Sequence, residues 1–258
     1  MAVRYCMPST DVSHVPAGAP HLHRIVFLRE KYPTREYYPF NQQPFLETGQ
    51  IQIDSALTLL VGENGTGKST LLKALARKCG IHMWGASPKT RLQQNPYEQR
   101  LHQFITLEWA GKPPPGAYFG SDVFQNFAES LDEWAAADPG LLKYFGGQTL
   151  VTLSHGQSLM AYFRSRYRLG GLYLLDEPET ALSPRTQVEF LHLLAEQSRR
   201  GHAQFIIATH SPILLACPGA TIYSFDHAPI QPIAYEATGH HQIYKAFMHD
   251  RRPFLPPE

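Results

Sequence analysis

The sequence predicts an α/β fold built on a mostly parallel, doubly wound sheet, on three observations. ALTLLV (56–61), GLYLLD (171–176) and AQFIIATH (203–210) are continuous apolar runs, the pattern of parallel strands covered on both faces. Stretches with helical spacing follow or separate them, so strand and helix alternate along the chain. Of the residues, 43% are hydrophobic and 17% charged, which allows a sizeable core and argues against global disorder. A length of 258 residues suits one large domain, or one domain carrying an inserted lobe. A single domain over residues 1–258 is the expectation.

The elements follow in chain order. Residues 1–20 carry Pro8, Pro16, Gly18 and Pro20 with little periodicity and read as a loosely ordered arm. HRIVFL (23–28) reads as the first strand, and a Pro- and Tyr-rich stretch (32–45) follows it. STLLKALARK (69–78) has apolar residues at helical spacing and basic residues at its end, where the helix dipole favours them. FITLEWA (104–110) and GAYF (116–119) read as strands parted by prolines 113–115. DVFQNFAESLDEWAAA (122–137) reads as a helix stopped by Pro139 and Gly140. Ahead of the strand at 203, Ser183 is a cap and Pro184 a first helical residue. The helix they open is expected to place Val188, Leu191 and Leu194 on one face.

Several classes are disfavoured by composition. Net charge is +1, which shows no general affinity for polyanions and leaves only a local basic stripe open. The three cysteines, Cys6, Cys79 and Cys217, form no close pair; a disulfide framework and a zinc site are disfavoured, and a reducing compartment is expected. Thirteen histidines form no block with metal spacing. MAVRYCMPST shows no secretory signal, and the longest apolar runs fall short of a membrane span. A cytoplasmic location without direct membrane insertion is the expectation.

Chemistry concentrates in a few segments. GENGTGKST (62–70) fits G-x-x-x-x-G-K-[ST] between an apolar strand and a helix. Gly62, Gly65 and Gly67 would let the backbone N–H groups of Glu63, Asn64, Thr66 and their neighbours curl around phosphate oxygens. Lys68 would add a point charge there, Ser69 would ligate Mg²⁺, and Thr70 closes the motif. GLYLLDEP (171–178) is an apolar strand ending in two carboxylates. Asp176 would face the Mg²⁺ shell and Glu177 would polarise an attacking water. In IATHSP (207–212), His210 follows a third apolar strand and would bond a γ-phosphate through a neutral imidazole.

LSHGQS (153–158) lies between the loop and the acidic strand. It resembles the signature of ATP-binding cassettes, with Ser154, Gly156 and Gln157 in place and His155 where a glycine usually stands. TALSP (180–184) stands where the cassette D-loop does, with Ala181, Leu182 and Ser183 as candidates for an interface or for a plain helix-capping turn. In cassette order these motifs cover about residues 56–215. The chain therefore resembles the ATP-binding-cassette superfamily. DEPET, LSP and THSP are similar to its soluble stand-alone branch, related to RecF, Rad50 and OLD ATPases. The resemblance implies a P-loop NTPase of ABC-ATPase type, with a small helical lobe at about 121–165 and an antiparallel β portion near the N-terminus. It implies ATP as substrate, Mg²⁺ as cofactor, and a homodimer in which the signature meets the other subunit's γ-phosphate.

Two departures stand out. In place of the family's Q-loop glutamine, the chain offers Ser121 and Asp122, with Gln125 one turn on. Asp122 suits a water-mediated Mg²⁺ contact or a helix cap. For the adenine contact, Tyr37, Tyr38 and Phe40 are the candidates, each as fit for packing. About 80 residues separate loop and signature, too few for a long coiled-coil arm, and 48 follow His210, too few for an appended nuclease domain, so in a repair or defence system the effector is expected on a separate chain. DNA stays open as a further partner.

Overall fold

The computed structural model describes residues 21–81, 83, 95–120 and 155–256. The arm, the helix expected at 122–137, the Q-loop candidates Ser121, Asp122 and Gln125, and Ser154 lie outside the described residues.

Two sheets organise the chain. Strands β1 (Leu22–Phe27), β2 (Gln50–Gln52) and β4 (Ile105–Trp109) form an antiparallel sheet in the order β2-β1-β4. The second sheet contains β3 (Leu57–Val61), β5 (Gly116–Phe119), β6 (Gly171–Asp176), β7 (Ala203–Ala208), β8 (Thr221–Ser224) and β9 (Gln231–Ile233). Its order is β5-β6-β7-β3-β8-β9, parallel from β5 through β8 with β9 antiparallel at the edge. The described helices are α1 (Gln43–Glu47), α2 (Lys68–Lys78), α3 (His155–Arg166), α4 (Pro184–Arg200), α5 (Pro212–Leu215) and α6 (Gly239–His249).

The continuous apolar runs have a direct explanation. Successive strand residues point to opposite faces, and the parallel sheet divides two cores. Leu60, Leu172, Leu174, Ile206 and Ala208 join α2 and the antiparallel sheet on one side. Leu59, Tyr173, Leu175, Phe205 and Ile207 join α3, α4 and α5 on the other. The second core holds an aromatic stack, with Phe163 and Phe190 centroids 4.7 Å apart and Tyr167 and Phe205 at 4.9 Å. Each such ring contributes about 1.5–3 kcal/mol by burial. A buried amide ties the sheets together: Gln204 accepts from the Leu22 N–H at 2.8 Å and donates to the Leu22 carbonyl at 2.9 Å.

Helix α4 begins as the sequence predicts, with Ser183 accepting from the Thr186 N–H and Pro184 in the first turn. Its buried face differs. Phe190, Leu194 and Gln197 are buried, Leu191 is partly buried, and Val188 is 42% exposed. At 3.6 residues per turn, Val188 and Leu194 lie about 120° apart around the axis, whereas Phe190 and Leu194 lie about 40° apart. Leu182 is buried in the second core, so the expected D-loop supplies both a packing residue and a helix cap. Strands β2, β8 and β9 and helix α6 lack the long periodic signals that marked the other elements. Among the described residues, no helix is long and apolar enough to cross a membrane.

Candidate functional site

Strand order assembles the site. Because β6, β7 and β3 are neighbours, their carboxyl ends come together, with Asp176 and Leu60 both in register with Ala208. Ligands of open α/β sheets collect at such strand ends. Here the ends are the phosphate loop after β3, the acidic pair after β6 and His210 after β7.

The loop leads directly into α2. Gly67 caps that helix at φ +104°, and Gly62 stands at φ +152°, backbone that side chains rarely adopt. Lys68 is buried, and its Nζ donates to the Gly62 carbonyl at 2.5 Å and the Glu63 carbonyl at 2.9 Å. Burial lowers the Lys68 pKa, while the Glu177, Asp226, Asp176 and Glu63 carboxylates oppose that shift. The fold also packs tightly against the loop. A Cβ built at Gly67 would lie 2.8 Å from Phe45 Cε2 and Cζ. Gly67→Ala is therefore expected to lower unfolding free energy by about 1–3 kcal/mol. Urea denaturation would check this, and an unchanged midpoint would refute the packing argument.

The Ser69 hydroxyl donates to Asp176 Oδ1 at 2.7 Å, and the Tyr118 hydroxyl to Oδ2 at 3.1 Å. Burial raises the Asp176 pKa, opposed by the Ser69 bond, by Lys73 and by the Tyr118 bond. Hydroxyl and carboxylate oxygens side by side suit a hard cation such as Mg²⁺, which takes few protein ligands and completes its shell with phosphate and water. Glu177 adopts a left-handed backbone at φ 52° and ψ 54°, a costly conformation for a non-glycine residue. Its N–H donates to the Ala208 carbonyl at 2.8 Å. Its Oε1 lies 3.5 Å from His210 Nε2.

Four contacts were not legible beforehand. Tyr118 braces Asp176. Glu179 Oε1 accepts from the His210 N–H at 2.6 Å. Asp226, after β8, accepts from the Glu63 N–H at 2.7 Å. His240, on α6, reaches His210 with Nε2 2.8 Å from Nδ1. Asp226 ends an apolar TIYSF run and Glu179 stands in DEPET, but neither pattern names the contact it makes.

Of the aromatic candidates, Phe40 is fully buried against Tyr32 and Phe104, Tyr38 hydrogen-bonds Thr70, and Tyr37 is 54% exposed. A cleft of about 480 Å³ flanks the loop, lined by Asn41 to Pro44, Asn64 to Thr66 and Phe225 to Ala228. None of the three aromatics lines it. His155, Gly156 and Gln157 open α3, and a Cβ at Gly156 would lie 3.6 Å from the Ala181 carbonyl oxygen.

Fold and loop together define a phosphate-loop nucleotide-binding protein. Residues 148–216 match the family model described as "AAA domain, putative AbiEii toxin, Type IV TA system". A cytochrome c biogenesis ATP-binding export protein, CcmA of Rhodospirillum rubrum, is 31% identical over 67% of this chain and 76% of its own. The petrobactin import ATP-binding protein FpuD of Bacillus anthracis is 27% identical over 62% of this chain and 64% of its own. The head domain of SMC from Thermotoga maritima superposes at a TM-score of 0.45 with 17% identity, covering 83% of this chain and 99% of that one. The chain belongs to the ATP-binding-cassette superfamily of ATPases.

Proposed function

We propose that this protein hydrolyses ATP with Mg²⁺ in a head-to-tail homodimer and uses the opening and closing of that dimer to gate a separate partner. The observation that carries the reading is the convergence of Lys68, Ser69, Asp176, Glu177 and His210 at three adjacent strand ends. The loop N–H groups and Lys68 bind the β- and γ-phosphates, with Glu63, Asn64, Gly65, Thr66 and Thr70 completing the cradle. Ser69 and Asp176 would hold Mg²⁺, which would supply positive charge at the phosphates. Glu177 accepts a proton from the attacking water. His210 donates to the γ-phosphate. Ser154, His155, Gly156 and Gln157 act on the nucleotide of the other subunit.

The test is phosphate release by the purified chain with ATP and Mg²⁺, alongside sedimentation with the β,γ-imido analogue of ATP. We expect turnover that EDTA abolishes, and a nucleotide-dependent shift from monomer to dimer. A species that hydrolyses ATP while remaining monomeric would remove the in-trans role of the signature. DNA repair or antiphage defence is the setting that the soluble-branch motifs favour, and duplex-stimulated, salt-sensitive turnover would support it. The second reading is a transporter subunit, favoured by the export and import ATP-binding proteins among its relatives. Co-purification with a polytopic membrane protein would select it.

A further inference from the structure

Helix α6 adds a residue to this site that the phosphate loop, the acidic pair and THSP do not contain. Its first turn is anchored: the buried Thr238 caps it by accepting from the His241 N–H at 3.2 Å, and the His241 ring packs on Tyr235 with centroids 4.5 Å apart. The remainder of α6 contributes no buried residue. The anchored turn sets His240 against His210, with ring centroids 5.0 Å apart and His240 Nε2 2.8 Å from His210 Nδ1. Burial holds both imidazoles below the usual histidine range. Each neutral ring then carries one proton, and one hydrogen lies between the facing nitrogens.

The second nitrogen of His210 decides which ring donates that hydrogen. His210 Nε2 is buried with no hydrogen-bond partner in the nucleotide-free protein, with Glu177 Oε1 3.5 Å away, and under the proposed function it is the nitrogen that donates to the γ-phosphate. A neutral ring protonated at Nε2 has its lone pair at Nδ1. His210 Nδ1 is therefore the acceptor and His240 Nε2–H the donor. The His210 N–H to Glu179 bond at 2.6 Å holds the backbone of the same residue, so ring and main chain are both held in place.

We propose that His240 is a positioning residue for the ATPase site: by donating to His210 Nδ1 it holds His210 in the tautomer that presents an N–H to the γ-phosphate. This rests on the reading of His210 given under the proposed function. A ring nitrogen's protonation is set by the bond its other nitrogen makes, and at metal-bound histidines loss of such a supporting partner typically costs about 10–100-fold in affinity or activity. His240→Phe keeps a ring of similar size and removes the donor, and His240→Gln returns an N–H near the position of Nε2.

The first measurement uses nucleotide-free protein, so it does not depend on hydrolysis. Long-range ¹H–¹⁵N spectra of histidine-labelled protein should show His210 protonated at Nε2, and that state should be lost or mixed in His240→Phe. The second is kinetic. His240→Phe is expected to lower kcat roughly tenfold at unchanged KM for ATP, His240→Gln to recover most of it, and His240→Phe to cost nothing further in a His210→Ala background. A wild-type His210 protonated at Nδ1, an unaltered kcat in His240→Phe, or additive losses in the double variant would each overturn the proposal. If His210→Ala alone turns over at the wild-type rate, the role given to His210 fails instead, and the nucleotide-free spectra still decide the tautomer.

Discussion

Glu177→Gln is expected to lower ATP turnover about 10²–10³-fold, or about 2.7–4 kcal/mol in barrier, while ATP still binds. The amide has nearly the shape of the carboxylate and cannot take a proton from water. The backbone around Glu177 does not depend on the charge. The Glu177 N–H to Ala208 bond is a backbone bond, and the left-handed backbone at φ 52° strains glutamine as it does glutamate. With hydrolysis blocked and binding intact, the ATP-bound dimer should accumulate. Single-turnover phosphate release and sedimentation with ATP and Mg²⁺ would read both effects. Full turnover in the variant would remove Glu177 as the base.

Lys68→Ala is expected to weaken ATP binding about 100-fold, close to 2.7 kcal/mol. The ammonium makes two bonds to loop carbonyls and, under the proposed function, would supply charge-assisted bonds to phosphate oxygens, which contribute more than neutral ones. The empty protein should still fold. The Gly62 and Glu63 carbonyls lose a donor, and the core no longer holds a buried cation, so the two changes oppose each other. Titration with a fluorescent ATP analogue measures the binding loss, and unchanged affinity would sink the assignment.

Strands β3, β6 and β7 were legible because burial on both faces leaves them nearly continuous in apolar residues, as β6 shows with all six residues buried. The phosphate loop was legible because its chemistry lies in adjacent residues, where a few peptide units make the nest. The face of α4 was misjudged at Val188, since spacing by threes drifts around a helix of 3.6 residues per turn. The short strands β8 and β9 gave no periodic signal, and β9 contains Pro232, a residue tolerated at a sheet edge.

By itself, the sequence determined the strand-loop-helix unit at 57–78, the acidic pair at 176–177, the histidine at 210 and the family that these motifs resemble. Each is a local pattern in which neighbouring residues carry both the conformation and the chemistry. Only the tertiary structure decided what holds them in working position. Tyr118 on Asp176, Asp226 on the loop, Glu179 on the His210 backbone and His240 on its ring join residues 58, 163, 31 and 30 positions apart. Such contacts depend on the order β5-β6-β7-β3-β8 and on where α6 docks. Strand order follows from how two cores close over one sheet, which is a property of the whole packed chain.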